Sequence, residues 1–283
     1  MSAGPSSESG AEARRYTLAT GIEAAHRLEM LQEVWGPGTR AMALDAGLVP
    51  GMRVADIGCG VGTVTMMFAE LVGPRGSVIG VDVSSAQLEQ ARGRAARMRP
   101  HVGVSPVEFV QADAVATGLP GDSFDFVFCR FLLLHLPQPR AGLAEMRRIL
   151  RPGGILYIED ADLASAYTVP PSAIESFGVL YPKLGAARGL DYRLGRRLHQ
   201  LVLEADFGEL MVRLNQPALL AGPGKRIGEW SLAEAAAGLI AAGLCTEAEL
   251  GVILADMRAA AEDPNLLVAM PCMTLVAARK PKA

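Results

Sequence analysis

Val54-Ala-Asp-Ile-Gly-Cys-Gly-Val-Gly-Thr63 is the stretch that decides the fold. Apolar residues from Arg53 to Ile57 predict a strand, and it runs straight into glycines at alternate positions, Gly58, Gly60 and Gly62. Glycines so spaced let the backbone turn sharply and admit a ligand where a Cβ would collide. Val64, Met67, Phe68 and Leu71 then fall on one face of a helix. The start of that helix turns its free amides and positive dipole end toward the turn, which suits a negatively charged or carboxylate-bearing cofactor. A second apolar strand, Ser77 to Val81, ends in Asp82, twenty positions after Gly62. An acidic side chain there is where α/β nucleotide sheets hold a ribose hydroxyl pair. The dinucleotide spacing G-x-G-x-x-G needs glycine at position 63, where Thr63 stands, so dinucleotide binding is demoted.

With these residues in hand the chain resembles the class I S-adenosylmethionine-dependent methyltransferases. The family loop D-x-G-x-G-x-G matches Asp56, Gly58, Gly60 and Gly62, with Cys59 as the small residue inside it. The resemblance implies that this loop wraps the methionine part of S-adenosylmethionine, that Asp82 takes the ribose and that Val83 lies against the adenine. It places Gln111-Ala112-Asp113-Ala114 near the adenine amino group and adds Arg130, at the end of Phe124-Asp-Phe-Val-Phe-Cys-Arg130, to the cofactor shell. Leu134-His-Leu-Pro137 and the helix-and-turn block Leu143 to Gly154 complete the match, which covers roughly residues 50 to 160.

Composition sets outer limits. A chain of 283 residues with 50% hydrophobic content buries a full core. Its net charge of -3 argues against a nucleic-acid surface, which needs a basic face. Cys59, Cys129, Cys245 and Cys272 are scattered, with neither zinc spacing nor a disulfide framework, so no metal is expected. No apolar run reaches the ~18 residues of a membrane span, and the polar N-terminus is not a secretory signal. A cytoplasmic setting is expected.

Residues 1–15 are too polar to pack and predict a disordered tail. Residues 16–50 predict a helical cap, with a capping box at Thr20-Gly-Ile-Glu23 and a break at Gly36-Pro37-Gly38 before a second helix, Thr39 to Ala46. In the resembled family such helices lie over cofactor and acceptor. Tyr16 and Arg40 are therefore candidates for contacts there, with simple packing and surface solvation as their alternatives. From residue 51 to 283 strands and helices alternate, with strands at Val107 to Gln111, Phe124 to Phe128 and Ile155 to Ile158 and a closing strand at Met270 to Ala278. This predicts a doubly wound α/β fold with a mostly parallel sheet, and the resemblance implies that the sheet is seven-stranded and Rossmann-like. Residues 161–230 break the alternation, and the resemblance implies that this insertion is an acceptor-shaping helical lid. Thr246-x-x-Glu249 is a further capping box.

Methyl transfer from a sulfonium needs alignment and exclusion of water more than it needs a base. His135, just past the fourth strand, is the candidate base, followed by His199 in the lid and Asp160 at the end of the fifth strand. Glu159 and Asp160 are neighbours on a strand, face opposite ways, and cannot share one substrate bond. An apolar lid suits a hydrophobic small molecule, and the resemblance implies a quinone-like compound or a secondary metabolite methylated on oxygen or carbon. The asparagine-proline-proline-tyrosine block of nucleic-acid amino methyltransferases is absent after strand four, where Arg130-Phe-Leu-Leu133 stands. A homodimer is an admissible assembly. Two alternatives remain: a nucleotide-dependent oxidoreductase, and an inactive cofactor-binding scaffold subunit.

Overall fold

The computed structural model describes residues 22–98 and 103–282. The tail, the Thr20–Glu23 capping box, Tyr16 and His101 lie outside what can be described. The chain enters on helix α1 (Ile22–Asp45) and then alternates: β1 (Arg53–Ile57), α2 (Thr63–Val72), β2 (Ser77–Asp82), α3 (Ser85–Met98), β3 (Val107–Gln111), β4 (Phe124–Arg130), α4 (Pro139–Ile149) and β5 (Leu150–Asp162). The C-terminal half adds β6 (Tyr167–Val169), α5 (Ser176–Ala187), α6 (Leu198–Glu204), β7 (Gly208–Asn215), β8 (Ala218–Leu219), α7 (Ile227–Glu234), α8 (Ala236–Ala241), α9 (Glu247–Glu262), β9 (Leu267–Ala269) and β10 (Cys272–Arg279).

Seven strands form one sheet in the order β3-β2-β1-β4-β5-β10-β7. The first five are parallel, in register at Val54↔Val78 and Phe126↔Ile155, while β10 runs antiparallel to both neighbours. Strands covered on both faces need apolar side chains on both. Val54, Ile57, Phe124, Phe126, Val127, Phe128, Leu156 and Ile158 are accordingly buried. The seven-stranded, mostly parallel α/β sheet is as expected. A separate small sheet, β6-β9-β8, lies in the C-terminal half.

Two expectations need correction. The helical cap is not broken at Gly36-Pro37-Gly38, because α1 runs unbroken through Pro37 to Asp45. The glycines there serve close approach: a Cβ on Gly38 would stand 2.2 Å from the Asn215 amide nitrogen. The 161–230 segment is also not wholly a lid, since β7 is the edge strand of the main sheet. Its alternation is weak because its residues are half-buried or exposed, leaving no apolar face for a period-2 pattern to mark. The Thr246–Glu249 capping box is present and starts α9. Among the described residues no helix is long and apolar enough to cross a membrane.

Candidate functional site

The three glycines after β1 take φ values of +74°, +54° and +75°, which L side chains rarely adopt. Shape adds a second demand, since a Cβ on Gly62 would stand 2.9 Å from Ala91 Cβ and 3.1 Å from the Phe109 ring. The amides of Gly58 and Cys59 both donate to Val81 O, at 2.7 and 3.0 Å, which locks the turn onto β2. Asp82 fastens it from beneath: Oδ2 accepts from Gly60 N at 2.8 Å and Oδ1 from Ser84 N at 2.9 Å. Burial pushes this carboxyl above its ordinary range, and the donated amides oppose the rise. Each oxygen keeps further acceptor capacity.

A cavity of 1280 Å³, counted out to its mouth, opens above the carboxyl ends of β1 and β4. One end is polar. Asp56, Gly58, Gly60, Thr63, Gln87 and Arg130 line it. Asp56 is buried, accepts from Thr65 Oγ1 at 2.5 Å, and burial raises its carboxyl to about 7. Arg130 donates to Gln32 Oε1 at 2.8 Å and Thr39 Oγ1 at 3.1 Å. Thr39 in turn donates to Glu159 at 2.9 Å, and Tyr157 Oη also donates to Glu159. This chain of partners keeps a buried guanidinium at the cavity floor. Thr63 Oγ1 and Gln87 Oε1 are buried and have no protein partner. Buried polar groups normally find one. A ligand with an ammonium and a carboxylate fits these atoms, set in a cradle where a Cβ at Gly60 would stand 3.2 Å from Gln87 Oε1.

The other end is apolar. Leu163, Ile174, Phe177, Ile227, Val268 and Met270 form its walls. His135 also lines the cavity, on the side of Tyr181, in a turn held by Asp160, whose Oδ2 accepts from Leu133 N at 3.0 Å. Its ring meets Tyr192 edge-on at 5.1 Å, and Tyr192 stacks on Tyr181 at 5.0 Å. Burial, helped by the Arg27 charge, lowers its pKa to about 3, so the imidazole is neutral. Asp160 is wholly buried, its pKa is raised well above the carboxylate range by burial, and its Oδ1 has no partner.

Residues 54–154 match the family model described as a methyltransferase domain. The chain carries a class I, S-adenosylmethionine-dependent methyltransferase domain. A ubiquinone/menaquinone biosynthesis C-methyltransferase, UbiE, of Shewanella frigidimarina is 36% identical over 138 residues, covering 48% of this chain and 53% of the relative. A protein in transposon TN4556 of Streptomyces fradiae is 34% identical over 175 residues, covering 58% and 45%. The chain spans about half the length of the curated relatives it matches. Among solved structures, a Bacillus halodurans protein described as a putative methyltransferase aligns with TM-score 0.56 at 21% identity, covering 87% of this chain and all of that one. The [4+2]-cyclase SpnF aligns with TM-score 0.52 at 23% identity, covering 94% and 84%. These likenesses concern the fold alone.

Within the methyltransferase domain the structure gathers Asp56, Gly58, Cys59, Gly60, Arg130 and His135 on the cavity wall. Val83 and Gln111 to Ala114 stand beyond it, at the ends of β2 and β3. Gln111 Nε2 donates to Val83 O at 3.0 Å, Ala112 N to Asp82 O at 3.1 Å, and Asp113 Oδ1 accepts from Val115 N at 3.1 Å. Their neighbourhood to Asp82 agrees with an adenosine end lying outside the deep cavity. Arg40 is a correction: it is exposed, off the cavity, and its neighbour Thr39 faces inward instead. His199 also lies off the cavity wall. Sequence reasoning missed Arg27, Trp35, Gln87 and Lys225, all on the wall. Arg27 and Trp35 sit two turns apart on α1, on the stripe of Leu28 and Leu31, and that spacing was the available signal.

Proposed function

We propose that the protein transfers a methyl group from S-adenosylmethionine to a carbon or oxygen of a hydrophobic small molecule, quinone-like or a secondary metabolite. The observation that carries this is one cavity lined both by the glycine cradle and by an apolar chamber, with His135 on its wall. When bound, S-adenosylmethionine supplies an electrophilic methyl on a sulfonium. This chain's residues do the rest. Asp56, Gly60, Thr63, Gln87 and Arg130 take the polar part of the cofactor, and Asp82 and Asp113 face the adenosine. The apolar walls hold the acceptor and exclude water, and such positioning is worth ~7–11 kcal/mol in favourable cases. His135 is neutral and accepts a hydrogen bond from the acceptor. A pKa of about 3 makes it a weak base, so orientation is its main part. The C-methyltransferases among the relatives support carbon as the methylated atom.

The test is calorimetric titration with S-adenosylmethionine, S-adenosylhomocysteine and NAD in parallel, followed by transfer of labelled methyl to a panel of apolar phenols and quinols. Saturable binding of both adenosyl compounds, none of NAD, and labelled product support the reading. Binding of NAD alone restores the oxidoreductase alternative. Adenosyl binding with no labelled product across the panel leaves the scaffold alternative standing.

A further inference from the structure

The apolar chamber contains a cation that the reading above does not use. Arg27 projects from α1 into the cavity wall and is only 4% exposed. Its Nε meets Glu234 Oε1, at the end of α7, at 3.0 Å, and both side chains are at least nine-tenths buried. Glu234 Oε2 has no partner, so the pair is made through one nitrogen and one oxygen rather than as a fork. The two terminal nitrogens of Arg27 therefore remain undirected toward Glu234, and among the described residues no oxygen accepts from them.

A guanidinium offers five N–H donors, and those that Glu234 does not take up stay available on the cavity wall. They select for a group that accepts. Its position says which ligand that group belongs to. The Arg27 charge is felt at His135 and Tyr181, both on the chamber side of the cavity. Arg130 already supplies the cation at the glycine-loop end, beside Asp56. Lys225 adds a second buried cation to the wall, its Nζ held by Asp263 O at 2.6 Å. Among the described residues the only carboxylate lining the cavity is Asp56, at the far end; Glu234 stands behind Arg27.

We infer that Arg27, held by Glu234, is a specificity determinant that selects an apolar acceptor bearing an oxygen anion, a carboxylate or an ionised hydroxyl, and anchors that oxygen in the chamber. This rests on reading the chamber as the acceptor site. Glu234 fixes the guanidinium and balances its charge when the chamber is empty, while the undirected N–H pair supplies the bidentate geometry that an oxyanion prefers. Neutral analogues of the same shape leave those donors unmet and bind less well.

The test is calorimetry with 2-naphthoate and dodecanoate, each against its neutral amide, on the wild-type chain with and without saturating S-adenosylhomocysteine. The same titrations are run on the Arg27→Met/Glu234→Met pair, which removes both charges together. Should that pair fail to fold by circular dichroism, Arg27→Gln/Glu234→Gln, which keeps a hydrogen bond, takes its place. At least one anion is expected to bind roughly tenfold or more tightly than its amide. That preference should fall below about twofold in the paired variant, with cofactor affinity unchanged. Binding of neither anion, equal binding of anion and amide, or a preference that survives in the variant overturns the inference. So does a variant whose main loss is S-adenosylhomocysteine affinity, since Arg27 would then hold the cofactor's own carboxylate. If S-adenosylhomocysteine does not bind the wild-type chain, the methyltransferase reading fails, while the anion preference is still read from the titration without it.

Discussion

At the scale of the residue, the two acidic groups beneath the glycine loop behave differently and give separate tests. Asp56 sits at about 7 in the folded chain against an ordinary 3.8, because burial outweighs the Thr65 hydroxyl and the Arg130 charge. Between those values the folded chain holds a proton that the unfolded chain has released. Its stabilising contribution is therefore full below about pH 4 and is lost as pH rises through 7. Asp56→Asn keeps the shape and removes the titration. Relative to wild type, the variant should gain roughly 2–4 kcal/mol of unfolding free energy between pH 4 and pH 8. Denaturant melts at both pH values measure this, and a difference that does not move with pH would mean that Asp56 is ionised throughout. Asp82 holds Gly60 N and Ser84 N. Asp82→Ala should weaken S-adenosylhomocysteine binding by about 1–3 kcal/mol, since the lost hydrogen bonds involve a charge. An unchanged titration would remove Asp82 from the site.

At the scale of the element, backbone proximity explains what composition does not. The turn 194–197 lies directly on β5: a Cβ on Gly195 would stand 2.6 Å from the Ala161 carbonyl carbon and 2.6 Å from Asp160 O. Asp162, at the end of the same strand, accepts from Arg196 and from Arg193 across this contact. Gly195→Ala must push the turn off the strand and should cost at least roughly 2–3 kcal/mol. Gly189 has φ +72° and open space around it. Gly189→Ala, with conformational strain alone, should cost only about 1–2 kcal/mol. Equal melting temperatures for the two variants would contradict the packing argument. This kind of contact is not written in a sequence. The strands β1 and β2 were legible because their apolar runs end in glycine and in an acidic residue. The passage of α1 through Gly36-Pro37-Gly38 was not, because Gly38 answers to Asn215, a neighbour brought close only by the fold. Edge strand β7 was missed for the opposite reason, since its side chains are too exposed to carry a pattern.

At the scale of the whole molecule, the site has a legible half and an illegible half. The glycine loop, Asp56 and Asp82 lie at the carboxyl ends of neighbouring strands and announce themselves by local spacing, while Arg130 came with the family resemblance. Arg27 on α1, Lys225 just before α7 and the chamber walls between Leu163 and Met270 lie far apart along the chain and meet only in the folded state. Helix α1 thus belongs to both halves: it packs beside the loop through Leu28 and faces the chamber through Arg27. A ligand that fills the polar end bears on α1, α2 and α3 at once, and so stabilises the native state as a unit. At a concentration one hundred times its dissociation constant, S-adenosylhomocysteine should add about 2.7 kcal/mol. For a chain of this size that is a rise in melting temperature of roughly 5–10 °C. NAD at the same concentration should give no shift, because Thr63 occupies the position where the dinucleotide spacing requires glycine. A shift with NAD and none with S-adenosylhomocysteine would mean that the cradle between β1 and α2 holds a pyrophosphate, and the role assigned to Arg130 would fall with that of the loop.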